Sequence, residues 1–199
     1  GTGVALTHLN DAVLSGVALT PLEELWVDSP DKTRIHSFIV KPPNFRANTK
    51  YPVLFLIHGG PQGAWGENWS YRWNAQVFAS AGYVVVQPNP RGSTGYGQKF
   101  TDEINGDWGG KPYDDIMTVV DTVSALPYVD NTRMTVAGAS YGPLNPAPAL
   151  PFSNGYLRIV QFGDFAGEGG AKKRAGDGRV GEEILTSCRA APRLLACPA

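Results

Sequence analysis

The residues best suited to chemistry in this sequence are Gly138-Ala139-Ser140-Tyr141-Gly142. A G-x-S-x-G pattern presents a serine hydroxyl on a sharp turn between a strand and a helix, and its glycines keep side chains from colliding across that turn. Met134-Thr135-Val136-Ala137 supplies an apolar strand leading into it. A second candidate, His58-Gly59-Gly60-Pro61, follows the apolar run Pro52–His58, "PVLFLIH". A loop there can aim a backbone N–H at the oxygen of a tetrahedral intermediate, and a second N–H comes from the residue after the nucleophile. Ser140 is therefore the expected nucleophile, with Gly60 and Tyr141 as the expected oxyanion donors. His58, at a strand end, is expected to shape the loop rather than to take the serine's proton.

Other motifs carry less. The Gly-rich stretch from Arg91 to Gly97 lacks the spacings of a phosphate cradle. Asp107, Asp114 and Asp115 have no histidine nearby, so solvated loop carboxylates and helix N-terminal charges are expected rather than a metal site. Cys188 and Cys197 fit neither a metal pattern nor a disulfide framework. Asn68-Trp69-Ser70 matches a glycosylation sequon, a pattern common by chance. No cofactor is expected. With 17 basic and 18 acidic residues, net charge −1, neither nucleic acid nor an anionic membrane is an expected partner. No apolar run is long enough to cross a bilayer, and no signal-peptide pattern opens the chain. The start at Gly1 rather than Met suggests a piece of a longer protein.

The elements that would position these residues can be read in order. Glu24–Asp28 and Arg34–Lys41, joined by Ser29-Pro30-Asp31-Lys32, read as an antiparallel hairpin with Ile35, Ser37 and Ile39 opposite in face to His36, Phe38 and Val40. Pro52–His58, Tyr83–Gln87 and Arg133–Ala137 read as strands covered on both faces, the second stopped by Pro88-Asn89-Pro90. Tyr71–Ala81 reads as a helix using Trp73, Val77 and Phe78 and closed by Gly82. Residues 91–111 read as a long loop. Tyr113–Leu126 reads as a helix burying Ile116, Val119, Val120 and Val123. Strands alternating with helices predict an α/β fold with a mostly parallel sheet.

Four segments, "YPVLFLIHGGPQGAW", "YVVVQPNPRGSTGYGQKF", "DWGGKPYDDI" and "VDNTRMTVAGASYG", together resemble the catalytic domain of the prolyl oligopeptidase family. The nearest subgroup is its acylaminoacyl-peptidase and dipeptidyl-peptidase-like bacterial members. The resemblance covers residues 20–142, and "LTHLND" (6–11) resembles the join from such a family's propeller domain. It implies a partial α/β-hydrolase fold and a serine peptidase acting through an acyl-enzyme on Ser140, with Gly60 and Tyr141 as oxyanion donors. Family members usually carry an N-terminal β-propeller that filters substrates by size. Three segments are expected: 1–22 a linker, 23–142 the N-terminal part of the catalytic domain, and 143–199 a divergent, irregular tail.

Beyond Gly142 the pattern changes. Pro143, Pro146, Pro148 and Pro151 fall where a helix should follow the serine, and each interior proline costs about 3 kcal/mol. Ala, Gly, Pro and Arg dominate the remainder, and only Leu157–Phe162 reads as a strand. An out-of-frame reading of GC-rich coding DNA and a divergent truncation are the two accounts of this change. The triad order of this fold is Ser, then Asp or Glu, then His. His8, His36 and His58 all precede Ser140, and Asp164 comes too soon after the elbow to serve as its acid. The expected function is a serine hydrolase acting on small peptides, acylated amino acids or esters. The alternatives are a catalytically silent fragment lacking the triad histidine and a carboxylesterase or lipase acting on short esters.

Overall fold

The computed structural model of the chain describes residues 6–71, 73–138 and, as backbone, 157–161. These lie in the first of two compact units, Gly1–Gly163. The elements run α1 (Asp11–Leu14), β1 (Leu22–Asp28), β2 (Arg34–Val40), β3 (Tyr51–Ile57), α2 (Ala75–Ser80), β4 (Val84–Asn89), α3 (Gln98–Asp102), α4 (Lys111–Ser124), β5 (Val129–Gly138) and β6 (Leu157–Gln161). They build a sheet of order β1-β2-β4-β3-β5-β6. Strands β4, β3, β5 and β6 are parallel, and β1 and β2 extend the sheet antiparallel at one side. This is part of an α/β-hydrolase fold with an N-terminal antiparallel hairpin.

The continuous apolar run of β3 follows from the layers around it. Val53, Phe55 and Ile57 join Ile116, Val119, Val120 and Val123 of α4 in one core cluster, while Leu54 and Leu56 join Ala75 and Ala79 of α2 in another. Successive side chains of a strand point to opposite faces, so a strand covered on both faces must be apolar at every position. Fully burying each such side chain is worth about 1.5–3 kcal/mol.

The antiparallel hairpin forms as expected, and β2 is buried from Ile35 to Val40 because it lies between β1 and β4. Three expectations are corrected. Helix α2 spans only Ala75–Ser80, capped by the Asn74 side chain on Gln76 N–H. It buries Ala75 and Ala79, and Val77 is exposed. These small residues pack close to the sheet and leave little trace in hydropathy. Pro88 and Asn89 do not stop β4 but are its last residues, paired with Ser37 and His36 on β2. Residues 91–111 contain α3, whose Phe100 is buried in the core.

The segment before the sheet is a single exposed turn, α1, followed by an anchored residue. Thr20 donates its N–H to Gln76 Oε1 and its hydroxyl to the Lys41 carbonyl, and Gln76 Nε2 donates to the Thr20 carbonyl.

Candidate active site

Strands β3 and β5 are parallel neighbours, paired from Val53–Met134 through Ile57–Gly138. The chain therefore leaves the sheet at the same level on both strands, separated by about 4.8 Å, the ordinary spacing of paired strands. On β3 the next residues are His58-Gly59-Gly60; on β5 they are Ala139 and Ser140. Ser140 and Tyr141 lie outside the described residues, as do Asp164, Cys188, Cys197 and the prolines following Gly142. Gly60 is described.

Gly60 has φ +57°, a conformation in which a Cβ crowds the backbone, and this lets the chain turn back at once from the strand end. Gly63 N–H closes the turn on the Gly60 carbonyl at 2.8 Å, and Thr94 N–H donates to the Gly63 carbonyl at 3.0 Å. Gly60 is exposed, and its N–H has no acceptor among the described residues. The loop returns to its own strand at Trp65, whose indole N–H donates to the Leu56 carbonyl at 2.8 Å.

His58 braces this loop. Its Nε2 is 2.9 Å from Ser93 Oγ, and Ser93 Oγ is 2.6 Å from the Pro90 carbonyl. A serine hydroxyl has one hydrogen. The Pro90 carbonyl has no hydrogen to give, so the Ser93 hydrogen is donated to it, beside the Ser93 N–H at 3.0 Å, and Ser93 Oγ is left to accept from His58 Nε2–H. The ring is thus held as the neutral Nε2–H tautomer. Burial lowers its pKa below the usual histidine value, opposed by the nearby Gly59 and Gly60 carbonyls. A histidine held neutral with its Nε2 proton committed to Ser93 is a scaffold group.

Neither other histidine is closer to the role of base. His36 sits on β2, three strand spacings from β5, or roughly 14 Å. His8 is exposed and pairs with Asp11 at 2.9 Å. Among the described residues, no group of three His, Cys, Asp or Glu side chains could hold a metal ion.

The loop after β4 also carries a buried ionic node that sequence reasoning missed. Arg91 is 2% exposed and Asp115 fully buried. The guanidinium donates twice to the carboxylate, from Nε at 2.9 Å and from Nη2 at 2.6 Å, and Arg91 N–H donates to the same group at 2.9 Å. Ser29 Oγ donates to Asp115 at 2.7 Å, and Arg91 Nη1 contacts Asp31 and, at 3.4 Å, Glu103. The hydrogen bond from Arg91 holds the Asp31 pKa at about 2. Asp115 is thus not the solvated helix-start charge expected from sequence; Asp114 beside it is exposed, and Asp107 accepts Lys111 N–H at the start of α4. The available signal was Arg91 at the end of an apolar strand, where a buried cation requires a buried anion.

Residues 69–151 match the model of the prolyl oligopeptidase family. The chain is 54% identical over 134 residues to a dipeptidyl-peptidase 5 of Arthroderma otae, covering 67% of this chain and 18% of that protein. It therefore spans under a fifth of that curated relative's length. Among solved structures, dipeptidyl peptidase 4 of Porphyromonas gingivalis matches with a TM-score of 0.65 and 27% identity, over 75% of this chain and 21% of that one. An acylaminoacyl peptidase in complex with Z-Gly-Gly-Phe-chloromethyl ketone matches with a TM-score of 0.63 and 30% identity, over 69% and 22%.

Proposed function

Because the chain belongs to the prolyl oligopeptidase family, we propose that it carries the nucleophile and oxyanion portion of a serine peptidase catalytic domain. The observation that supports this most directly is the Ile57–Gly138 register, which brings the His58-Gly59-Gly60 loop and the strand entering Gly138-Ala139-Ser140 to adjacent positions at one edge. In this reading Ser140 Oγ attacks a carbonyl carbon and forms an acyl-enzyme. The N–H groups of Gly60 and Tyr141 receive the developing oxyanion, and an exposed Gly60 N–H without an acceptor among the described residues suits that task. In this reading residues 23–142 are the N-terminal part of the domain and 1–22 a linker whose last residue, Leu22, already opens β1.

The names of the relatives support short peptides and acylated amino acids as the substrate class, and the chloromethyl ketone complex supports a peptide carbonyl as the target. Simple esters are the easier substrates, since an alkoxide leaves with less protonation than an amine.

A second reading is favoured by one observation: the three histidines of these 199 residues precede Ser140, and His58 is committed to Ser93. Loss of the base in such a triad costs about a millionfold in kcat, leaving a residual ~10³–10⁴-fold over water from binding and the oxyanion hole. The 199-residue chain assayed by itself is then catalytically silent. Hydrolysis of a short-chain chromogenic ester, beside a Ser140→Ala control, separates the two. Turnover that disappears in the control supports the hydrolase reading; equal rates in both support the silent one.

A further inference from the structure

Asn89, Tyr96 and His36 form a line of side chains ending on the loop after β3, and the hydrolase reading as stated makes no use of them. Asn89, the last residue of β4, is fully buried. Its carboxamide engages the Trp65 backbone as a neighbouring strand would: Oδ1 accepts Trp65 N–H at 2.7 Å, and Nδ2 donates to the Trp65 carbonyl at 3.1 Å. The second Nδ2 hydrogen is directed to the Tyr96 hydroxyl at 2.8 Å, so both amide hydrogens are used. The Tyr96 hydroxyl, accepting from Asn89, is also hydrogen-bonded to His36 Nδ1 at 2.8 Å.

His36 is fixed in turn. Its ring stacks on Trp26 at 4.2 Å with planes 9° apart and lies against Phe38 at 4.5 Å. Its Nε2 is buried, has no hydrogen-bond partner among the described residues and is 3.7 Å from Glu24 Oε2. The Arg34 guanidinium lies over the Trp26 ring at 4.7 Å. Burial lowers the His36 pKa, and the Glu24 charge works against that shift.

The geometry points to Asn89 as the positioning residue of the Gly60 loop, held in its working orientation by Tyr96 and His36. Trp65 is where the loop rejoins the sheet; its indole is fastened to β3 through Leu56, and its backbone to β4 through Asn89. Between the end of β3 and Trp65, the position of the Gly60 N–H is defined by the His58–Ser93 contact, the Gly60–Gly63 turn and the Thr94 contact. A carboxamide that used only its oxygen would leave the part-buried Trp65 carbonyl without the Asn89 donor, and one without Tyr96 would be freer to rotate out of plane. This inference rests on the reading of Gly60 as an oxyanion donor.

The experiment compares the chain with its Asn89→Ala and Tyr96→Phe variants by amide hydrogen exchange and by the rate of fluorophosphonate labelling at Ser140. Exchange of the Trp65 amide should rise roughly tenfold or more in Asn89→Ala, and by less in Tyr96→Phe, while Val84–Val86 amides keep their protection. Labelling should slow in the same order. Tyr96→Phe, which removes one hydroxyl, serves if Asn89→Ala does not fold. Unchanged Trp65 exchange in both variants overturns the inference, as does faster exchange with undiminished labelling. If the wild type is not labelled at Ser140, the hydrolase reading fails, and the hold of Asn89 on the loop stands or falls on the exchange data.

Discussion

Asn89, Arg91 and Ser93 lie within five residues of one another, yet they secure two regions by different physics. Asn89 and Ser93 hold the loop after β3 through neutral groups: two amide contacts to Trp65, and one hydroxyl between His58 and Pro90. Arg91 holds the hairpin turn and α4 through charge, with Asp115, Asp31 and Glu103 around one guanidinium. A neutral hydrogen bond contributes about 0.5–1.5 kcal/mol, whereas a buried ion left without its partner costs about 3–5 kcal/mol. The scaffold is therefore fixed by a strong all-or-none device. The loop beside the candidate site is fixed by several weaker ones that place no full charge next to it.

Four measurements test that contrast. The largest effect is expected from Asp115→Ala, which removes the fully buried, doubly bonded partner of Arg91 and leaves the cation Ser29 and the more exposed Asp31 and Glu103. A loss of about 3–5 kcal/mol in denaturant unfolding is expected, and a loss below 1 kcal/mol would remove the distinction between the two regions. Next comes Gly92→Ala, at the residue between the two systems. Gly92 has φ +102°, and a Cβ there would stand 3.0 Å from Ile104 Cβ and 3.1 Å from the Pro61 carbonyl. Backbone strain of about 1–2 kcal/mol and crowding of about 1–3 kcal/mol should lower the thermal midpoint measurably. Third, Ser93→Ala leaves His58 Nε2–H without an acceptor and should cost about 1–3 kcal/mol by the same unfolding measurement.

The smallest effect is the most selective. Both His36 and His58 have folded pKa values below the usual 6.5, so the unfolded chain binds more protons as pH falls. Their contribution is complete above about pH 6.5 and declines as pH drops toward the folded values. Asp31, with a folded pKa of about 2 against an ordinary 3.8, contributes above pH 4 and loses that contribution as pH falls toward 2. Asp31 is half exposed, so its share is small. Denaturant midpoints followed from pH 8 to 2 should show the neutral system weakening first and the ionic one second. A single acid transition below pH 4 would contradict this.

The parts legible in sequence are those whose burial leaves a periodic or unbroken apolar trace. Strands β3, β4 and β5 read correctly because helices cover both faces of the sheet, and α4 read correctly because Ile116, Val119, Val120 and Val123 share one side. Helix α2 was misjudged because its buried face is alanine, and the neighbouring aromatics suggested a longer helix than the Asn74 cap allows. Pro88 looked like a terminator because a proline removes one ladder donor, but Gln87, Pro88 and Asn89 are buried against β2 all the same. His58 was legible as a brace from its place at a strand end. Its partner Ser93, and the buried role of Asp115, were not, since each is defined by a residue 35 or 24 positions away.

The Arg91 node joins residues far apart in the chain: Ser29 and Asp115 are separated by 86 positions, Arg91 and Asp115 by 24. During synthesis the guanidinium therefore emerges after Ser29 and Asp31 but before Asp115, the carboxylate that is fully buried with it. Burying the end of β4 any earlier would strand an ion, so premature collapse is penalised and correct assembly is rewarded only once hairpin, strand and helix are all present. The cluster thus ties the burial of the end of β4 to the presence of α4, whose Asp115 completes it.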